Sequence, residues 1–499
     1  MSSRDQAMDL IQALTALGAN ARGVSADSRT LRPDDLFLAY PGQRGDGRWH
    51  IGAAIERGAA AVVWESEGYA WQTGHAAPNL ACENLQTLAG DIAAQIFGEP
   101  SRQLRLIGVT GTNGKTSTTQ WIARAYAALQ KPCGVIGTLG AGFPDALVET
   151  ANTTPDAVSL QTTLAEFVAA GAQAAALEVS SIGLEQGRLN GASFDTAVFT
   201  NLTRDHLDYH KTMEAYAEAK ARLFVWPGLR AAVINLDDAF GLKLARECAV
   251  SLPLTIGYTL EAHFENPPAD MFVLAAADIR AAGAGMSFDV VWAGRRHTLN
   301  LPLVGRFNVA NLLAVLGSLL AGGIAFEQAC EAVKGLTPPP GRMQIVSGGM
   351  EPLVVIDYAH TPDALEQALL ALRPSAKERG GKLICVFGCG GDRDAGKRPL
   401  MGALAARLAD RVVVTSDNPR TEDPAAIVDQ VARTTGGFAL RIVDRAEAIA
   451  ETLKQAASGD VILIAGKGAE PYQEIAGVKF PFSDAEHARA ALRQRGKGG

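Results

Sequence analysis

The sequence is poor in cysteine, and its few cysteines are scattered along the chain. Six occur in 499 residues, at positions 82, 133, 248, 330, 385 and 389, and no two have the spacing of a zinc ribbon or a redox motif. Cys385 and Cys389 look like core residues of a strand and its exit. We therefore predict reduced cytosolic thiols rather than a zinc or redox site.

Positive charge is scarce as well. Lysine and arginine number 46 against 53 aspartates and glutamates, which gives a net charge of −7. A protein that binds nucleic acid over an extended surface needs a basic face to neutralise phosphates, so we expect no nucleic-acid partner. An acidic protein can still bind an anionic small molecule in a local pocket.

The chain also lacks a secretion signal and an evident membrane segment. Its amino terminus mixes Arg4, Asp5 and Asp9 with apolar residues, without a basic start and an apolar run. Residues 307–326 carry no charge and are about long enough to span a bilayer. Polar and small residues interrupt that stretch, namely Asn308, Asn311, Ser318, Gly322 and Gly323. We predict a buried helix that ends at the glycines, in a monomeric cytoplasmic protein without membrane insertion.

The length and the pattern of apolar runs predict three α/β domains. Residues 1–100 contain short strand-like runs around a Gly-rich segment, which indicates a small N-terminal α/β domain. In residues 101–337, apolar strands alternate with helices, as in a parallel sheet covered on both faces, and residues 251–300 resemble an antiparallel appendage. The Thr-Pro-Pro-Pro-Gly segment at 337–341 is a stiff linker. Residues 341–499 form a second series of strands and helices, typical of a Rossmann-like doubly wound domain.

A phosphate-binding loop is predicted at residues 111–116, Gly-Thr-Asn-Gly-Lys-Thr, between a strand and a helix. Its backbone N–H groups and the helix N-terminus would hold the phosphates of ATP. Lys115 would reach the β- and γ-phosphates, and the Thr116 hydroxyl would help to hold Mg²⁺. The commoner pattern has glycine where this chain has Val109, so a simple Gly-rich turn is the alternative.

Three further features of the central region allow more than one interpretation. Glu178, at the end of a predicted strand, would either bind Mg²⁺ or cap the next helix. The segment 201–210 contains two histidines and two aspartates close together, which suggests zinc, but the spacing is not a known zinc pattern and such clusters are often polar loops. Lys220 lies within a helical run, and without other information it is interpreted as a solvated lysine.

In the last domain, three polar or Gly-rich loops follow successive strands. They cover residues 388–394, 416–420 and 466–470. Because ligands of doubly wound sheets bind at the carboxyl ends of the strands, these loops should form one rim. Arg393 and Arg420 on that rim are suited to bidentate binding of carboxylates.

Taken together, these residues resemble the Mur ligase family of ATP-dependent amide-forming enzymes, over essentially the whole chain. The loop Thr-Gly-Thr-Asn-Gly-Lys-Thr at 110–116 is the family's own variant, which accounts for Val109. Within the family, the chain most resembles the members that add the third residue to the peptidoglycan stem peptide. It implies that ATP converts the D-glutamate γ-carboxylate of UDP-N-acetylmuramoyl-L-alanyl-D-glutamate to an acyl phosphate. The amine of meso-diaminopimelate then attacks, and ADP and phosphate are released.

The resemblance also implies roles for residues around ATP. Lys115, Glu178, His206 and Lys220 would be catalytic, with Lys220 carbamylated. Two Mg²⁺ ions are expected, and their implied ligands are Thr116, Glu178, His206 and the Lys220 carbamate. The implied ATP-binding residues are Gly111, Thr112, Asn113, Gly114, Lys115, Thr116, Ser117, Asn308, Asn311, Arg342 and Asp357.

Two further residue groups follow from the same resemblance. The positions implied for the UDP-linked substrate are Ser28, Gln43, Arg44, Gly45, Asn152, Thr153, Thr154, Ser180, Gln186 and Arg188. The positions implied for diaminopimelate are Arg393, Asp417, Asn418, Pro419, Arg420, Gly466 and Glu470. The Asp-Asn-Pro-Arg form at 417–420 is associated with meso-diaminopimelate rather than L-lysine. The chemistry agrees, because diaminopimelate has a second carboxylate that a guanidinium can bind.

The chain departs from the family's usual pattern at two places, and three alternatives stay open. Ile182 stands where histidine usually follows the paired serines, and Ala469 stands where histidine usually precedes Glu470. A near alternative is the L-lysine-adding version of the same ligase. The distant alternatives are a P-loop NTPase without ligase activity and an inactive binding protein, which conflicts with the intact Lys115, Thr116, Glu178 and Lys220.

Overall fold

The computed structural model describes residues 2–495 except 43, 44, 73, 263, 265, 266, 269, 283, 284 and 349. Its N-terminal part contains a four-stranded parallel sheet in the order β1-β2-β3-β4. The strands are β1 (Gly23–Ser25), β2 (Asp35–Ala39), β3 (Ala61–Glu65) and β4 (Asn79–Cys82). The helices are α1 (Ser3–Ala16), α2 (Ile51–Glu56), α3 (Leu85–Ile96) and α4 (Pro100–Gln103).

The central part is built on an eleven-stranded sheet. In chain order its strands are β5 (Arg105–Thr110), β6 (Cys133–Gly137), β7 (Gly140–Phe143), β8 (Ala146–Val148), β9 (Ala174–Glu178), β10 (Thr196–Phe199), β11 (Ala231–Asn235), β12 (Leu254–Thr259), β13 (Met271–Ala282), β14 (Gly285–Trp292) and β15 (Arg295–Leu301). Their spatial order is β15-β14-β13-β12-β11-β10-β5-β9-β6-β7-β8. The strands from β13 to β6 in this order pair in parallel, and both edges end in antiparallel hairpins.

Helices cover both faces of the central sheet. They are α5 (Lys115–Ala128), α6 (Ala157–Ala169), α7 (Ser181–Glu185), α8 (Leu207–His210), α9 (Met213–Ala221), α10 (Ala239–Ser251), α11 (Arg306–Ala321) and α12 (Phe326–Val333). The helices α5, α11 and α12 pack on one face, and α6 and α10 on the other. The strands between them are mostly apolar because they bury both of their faces.

The uncharged segment forms the buried helix predicted for it. Helix α11 packs against β11, β12 and α5, and Gly322 caps its end. No helix in the described ranges is both long and apolar enough to cross a membrane. The expected antiparallel appendage, in contrast, is not separate. Strand β13 pairs in parallel with β12, so β13, β14 and β15 extend the central sheet.

The C-terminal part is doubly wound, with a six-stranded sheet in the order β16-β17-β21-β18-β19-β20. Its strands are β16 (Gln344–Ser347), β17 (Leu353–Asp357), β18 (Leu383–Phe387), β19 (Arg411–Val414), β20 (Ala439–Arg441) and β21 (Val461–Ala465), followed by the hairpin β22 (Tyr472–Ile475) and β23 (Val478–Pro481). Helices α13 (Pro362–Glu378), α14 (Lys397–Leu408) and α15 (Pro424–Ala432) cover one face, and α16 (Arg445–Gln455) and α17 (Asp484–Arg495) the other. The predicted three-part α/β fold is thereby confirmed, while the predicted domain limits stay a prediction.

The topology places the C-terminal loops as expected. Strand β21 inserts between β17 and β18, so the direction of winding reverses there. The loops that follow β17, β18, β19 and β21 share one edge of the sheet, where a doubly wound fold binds its ligands. All six cysteines are buried and unpaired, in agreement with reduced thiols.

Candidate active site

The loop between β5 and α5 has the geometry of a phosphate cradle. Gly111 and Gly114 have φ angles of +147° and +87°, which side chains rarely adopt. A Cβ on Gly111 would lie 1.9 Å from the Thr200 hydroxyl oxygen, and one on Gly114 would lie 2.3 Å from the Asn311 Oδ1. Asn201 Oδ1 accepts from the N–H of Asn113 at 2.9 Å and fixes the loop from the next strand. Glycine is therefore required at both positions.

Replacing Gly114 with alanine should raise the KM for ATP by about tenfold or more, because the added methyl group displaces Asn311 and strains the loop. Gly171 offers a matched control, since its φ is +80° but nothing lies within 4 Å of an added Cβ. Steady-state kinetics with varied ATP test the comparison. An equal KM for ATP in the Gly114→Ala and Gly171→Ala variants would contradict the assignment of the loop.

Two lysine amines converge on the carbonyl of Gly111. Lys115 Nζ donates to the Gly111 and Thr112 carbonyls at 2.8 Å each, and Lys220 Nζ donates to the Gly111 carbonyl at 3.0 Å. Lys220 is 1% exposed, and its Nζ lies 4.3 Å from the centre of the Tyr216 ring. Burial lowers the pKa of both lysines, and the nearby charge of Lys115 lowers the pKa of Lys220 further. Lys220 is therefore a buried amine that loses its proton easily, not a solvated lysine.

Glu178 faces the phosphate loop at the carboxyl end of β9. Its carboxylate is buried and accepts from the Thr138 N–H at 2.9 Å and from the Thr138 hydroxyl at 3.1 Å. It does not cap α7, because Ser180 is the N-cap residue and its hydroxyl accepts from the Gly183 N–H. The charge of Glu178 acts on Lys115 and partly opposes the lowering of its pKa. The capping alternative is thus wrong, and a ligand role remains.

His206 lies near Lys115 and Lys220, on the solvent-exposed side of the site. Its side chain is 47% exposed, and its Nε2 is 3.4 Å from the Asp205 carboxylate. Partial burial lowers the pKa of His206, Asp205 opposes this, and the charges of Lys115 and Lys220 reinforce it. A neutral imidazole in this place can bind a cation.

The neighbouring His210 is placed differently from His206. Its ring is buried, and its Nε2 lies 2.8 Å from the Ser181 hydroxyl. Within the described ranges, no group of three or more His, Cys, Asp and Glu side chains is arranged to hold a metal ion. The zinc interpretation of segment 201–210 therefore gains no support.

The C-terminal part closes over the phosphate loop. Arg342 Nη2 donates to the Thr116 hydroxyl at 3.0 Å, and its guanidinium carbon lies 4.3 Å from the centre of the Tyr358 ring. Asn113 Nδ2 donates to the Asp363 carboxylate at 3.2 Å, across the same interface. The linker and the third domain thus reach the loop directly.

Four other residues implied for ATP lie in this region. Asp357 accepts from the N–H groups of Met343 and Ala359, and burial raises its pKa although Arg342 opposes this. Asn311 lies against Gly114 and donates from Nδ2 to Asn308 Oδ1 at 3.4 Å. Both asparagines are on the first two turns of α11, which points them at the loop. Ser117 is buried in the first turn of α5.

The residues implied for the UDP-linked substrate fall into two groups. Around Glu178, the Thr154 hydroxyl donates to the Glu178 carbonyl at 2.8 Å, and Arg188 donates to the Thr154 carbonyl at 2.9 Å. The members of this group are Asn152, Thr153, Thr154, Ser180, Gln186 and Arg188. Ser28 and Gly45 belong to the N-terminal domain instead. Gln43 and Arg44 lie outside the described residues.

The loops of the C-terminal rim contact one another. Asn418 Nδ2 donates to Glu470 Oε2 at 2.8 Å, and Lys467 Nζ donates to Asn418 Oδ1 at 2.9 Å. A Cβ on Gly466 would lie 2.4 Å from Asp417 Oδ2, so these two loops also touch. The structure thereby brings the residues implied for diaminopimelate into one place.

The two rim arginines flank Gly390. An added Cβ on Gly390 would lie 3.0 Å from Arg420 Nη1 and 3.9 Å from Arg393 Cγ. Arg420 donates to the Gly391 carbonyl at 2.7 Å, while Arg393 is exposed. Two guanidinium groups on neighbouring loops can bind a carboxylate that enters the rim.

Several side chains of the site were not identified from the sequence. They are Thr138, Thr200, Asn201, Tyr216, Tyr358, Asp363 and Lys467. Lys467 and Asn201 stand inside segments that the sequence did single out, and a lysine between two glycines was a usable signal. Tyr216 and Thr138 carry no local signal, because their roles depend on segments far away in the chain.

Known protein families and relatives match this chain along most of its length. Residues 20–95 match a family model described as "Mur ligase family, catalytic domain". Residues 109–319 match "Mur ligase middle domain", and residues 341–468 match "Mur ligase, glutamate ligase domain". The chain is similar to UDP-N-acetylmuramoyl-L-alanyl-D-glutamate–2,6-diaminopimelate ligase of Ralstonia nicotianae, with 51% identity over 98% of this chain and 96% of that protein.

Two further relatives bear the same name. The protein of Pseudomonas aeruginosa is 52% identical over 94% of this chain and 95% of its own length. A solved structure of an enzyme so named is 39% identical and superimposes with a TM-score of 0.67, covering 95% of each chain.

Proposed function

Since this chain belongs to the Mur ligase family, we propose that it catalyses the ATP-dependent addition of meso-diaminopimelate to UDP-N-acetylmuramoyl-L-alanyl-D-glutamate, a step of peptidoglycan precursor synthesis. The proposal rests most directly on Arg342, which joins the two halves of the site. Arg342 bonds Thr116 in the phosphate loop and stacks on Tyr358. Burial, with the charges of Glu470 and Asp417 on the amino-acid rim, raises the pKa of Tyr358 to about 12. One continuous site can thus take ATP and an amino acid together.

The reaction has two steps. An oxygen of the D-glutamate γ-carboxylate attacks the γ-phosphorus of ATP, the bond to ADP breaks, and an acyl phosphate forms. The amine of diaminopimelate then attacks the acyl carbon, and the resulting tetrahedral intermediate expels phosphate as the amide forms. The protein does little covalent chemistry in such a reaction, and its contribution is alignment and neutralisation of charge.

Lys115 is placed to neutralise the negative charge of the transferred phosphoryl group. Its ammonium group is held by two loop carbonyls at the N-terminus of α5, where phosphate oxygens are also favoured. Arg342 reaches the same place from the linker, so a second positive charge arrives with the third domain. We assign charge stabilisation of the transferred phosphoryl group to this pair.

The side chains around the loop fit a magnesium site in part. Mg²⁺ prefers oxygen ligands, and Thr116 and Glu178 provide a hydroxyl and a buried carboxylate. His206 adds a neutral imidazole. When bound, Mg²⁺ would screen the negative charge of the phosphates. Thr116, Glu178, His206 and Lys220 are the residues that would hold two such ions.

Lys220 fits this set only after a chemical change. An amine is a poor ligand for Mg²⁺, whereas a carbamate offers oxygens. A neutral amine reacts with CO₂ to give a carbamate and a proton, and burial favours the neutral amine of Lys220. We therefore propose that Lys220 acts as a carbamate.

We assign the selection of the amino-acid substrate to the loops of the C-terminal rim. Diaminopimelate carries a carboxylate at both ends, and L-lysine lacks the distal one. Arg420 and Arg393 flank the place where that carboxylate would enter. L-lysine would leave the two guanidinium groups without the substrate carboxylate that they are proposed to bind, and this disfavours lysine.

Phosphate release with each amino acid tests the proposal. The enzyme is given ATP, Mg²⁺, the UDP-linked dipeptide and either meso-diaminopimelate or L-lysine. We expect kcat/KM for meso-diaminopimelate to exceed that for L-lysine by about a hundredfold or more, since a bidentate site rejects a substrate that lacks its partner group. Faster turnover of L-lysine would identify the lysine-adding enzyme. Equal phosphate release without any amino acid would indicate an NTPase.

We further propose that the enzyme works in the cytoplasm as a monomer. ATP and the UDP-linked precursor are cytoplasmic compounds, and the described parts of all three substrate regions lie within one chain. Light scattering of the purified protein should give the mass of a single chain, 52.3 kDa.

A further inference from the structure

A buried arginine outside the substrate positions, Arg398, ties together the two loops that carry the rim arginines. It lies in the first turn of α14 and is 1% exposed. Its Nη1 and Nη2 donate to the two oxygens of the Glu422 carboxylate at 2.9 and 2.8 Å, a bidentate ion pair. Nη2 also donates to the Gly390 carbonyl at 3.2 Å, and Nη1 to Gln430 Oε1 at 2.8 Å. One side chain thus contacts the loop after β18 and the loop after β19.

Glu422 extends this connection to the tip of the first loop. Its Oε1 accepts from the Asp392 N–H at 2.6 Å, in addition to the bond from Arg398. The Asp392 carboxylate in turn accepts from the Thr421 hydroxyl at 2.8 Å and from the Thr421 N–H at 3.1 Å. The two loops are therefore joined by a continuous network whose buried end is Arg398.

Two residues beside this network have a backbone conformation that costs energy. Asp392 and Arg420 both have a φ of +52°, in the left-handed region, although neither is glycine. Such conformations persist only where surrounding contacts enforce them. Arg420 lies directly before Thr421, and its Nη1 is bonded to the Gly391 carbonyl, next to Asp392. Arg420 Nε also lies 3.4 Å from the Glu474 carboxylate of β22. The direction of the Arg420 side chain therefore depends on Glu474 and on how the loop with Gly391 is held.

We propose that Arg398 is a positioning residue that sets the geometry of Arg420 and Arg393 for the distal carboxylate of the amino-acid substrate. This inference rests on the proposed function. Bidentate binding of a carboxylate requires the guanidinium to be placed within a fraction of an ångström. Without Arg398, Glu422 and Gly390 lose their common partner, and the loop with Arg393 is held to the loop with Arg420 by fewer contacts. Among the described residues, the hydrogen bonds of Arg398 reach none of the positions implied for ATP or for the UDP-linked substrate.

The Arg398→Met variant of the full-length enzyme tests the proposal. We expect the KM for meso-diaminopimelate to rise by about tenfold or more, with the KM values for ATP and the UDP-linked dipeptide within about twofold of wild type. L-lysine has no distal carboxylate, so its kcat/KM should change little and the preference for meso-diaminopimelate should narrow. Arg407→Met is the matched control, because Arg407 lies on the same helix and its ion pair with Glu366, at 2.7 Å, is exposed. It should leave all these constants unchanged.

A second variant covers the case in which Arg398→Met folds poorly. Thr421→Val is nearly isosteric, lies at the surface and removes only the hydroxyl bonds to Asp392. It should raise the KM for meso-diaminopimelate in the same selective way, by a few-fold. The positioning role is overturned if Thr421→Val leaves this KM unchanged, or if Arg398→Met raises all three KM values equally. Failure of the wild-type enzyme to use meso-diaminopimelate would instead overturn the proposed function itself.

Discussion

The Lys115→Met variant is expected to lose ligation almost completely, with kcat/KM for ATP reduced by about a thousandfold or more. Methionine preserves the length of the side chain but removes the ammonium group that two loop carbonyls hold at the N-terminus of α5. The phosphoryl group transferred from ATP would then lack its nearest positive charge. Product formation measured by chromatography gives the rate without interference from contaminating ATPases.

The stability of the same variant separates catalysis from folding. Burial of the Lys115 ammonium is unfavourable, as its lowered pKa indicates. Removing the charge should therefore leave Tm unchanged or raise it, while activity disappears. Lys131→Met is a matched control beyond the other end of α5 and should be fully active. A Lys115→Met enzyme with more than about a tenth of wild-type activity would contradict the role assigned to the loop.

The Lys220→Ala variant should lose activity by about a hundredfold or more, and a small carboxylate such as acetate should restore part of it. Alanine removes the anchor of the proposed carbamate and leaves a cavity beside the Gly111 carbonyl and the Tyr216 ring. An added carboxylate can enter that cavity and supply the missing oxygens. The rate is measured with increasing acetate, with chloride at equal ionic strength as the salt control.

Two comparisons make the Lys220 experiment decisive. Lys220→Arg keeps a positive charge but cannot form a carbamate, so it should be inactive and should not respond to acetate. Lys211→Ala, at the exposed start of the same helical region, should behave as wild type. Full activity of Lys220→Ala, or equal rescue by chloride and acetate, would show that no carbamate acts at this position.

Features that depend on neighbouring residues were predicted well. An apolar run, two glycines and a following helix define the phosphate loop locally, and β5, the loop and α5 lie where they were expected. The buried helix α11 was identified by its polar interruptions and its terminal glycines. The rim loops followed from the general rule that the carboxyl ends of parallel strands share one edge of the sheet.

Features that depend on distant segments were not predictable from local pattern. Arg342 meets Thr116 across 226 positions of the chain, and Thr138 meets Glu178 across 40. Such contacts depend on the order of strands in the sheet, which local pattern does not specify. The same limit explains residues 251–300, where strand-like pieces indicated an antiparallel appendage but not the parallel pairing of β13 with β12.

Glu178 illustrates how tertiary contacts decide between local alternatives. An acid before a helix is equally suited to capping and to metal binding. Ser180 takes the capping position, and Thr138 orients the carboxylate towards the phosphate loop instead. Only the contact with Thr138, which follows another strand, decides between capping and metal binding.

The origin of one oxygen atom tests the central claim, that ATP activates a carboxylate for amide formation. The UDP-linked dipeptide is labelled with ¹⁸O in the γ-carboxylate of D-glutamate and incubated with the enzyme, ATP, Mg²⁺ and meso-diaminopimelate. Mass spectrometry of the released phosphate then shows where its fourth oxygen came from. We predict one ¹⁸O atom in each phosphate, in step with tripeptide formation, because the acyl phosphate carries that oxygen away. Phosphate without label would mean that water attacks ATP, and the ligase mechanism would be wrong.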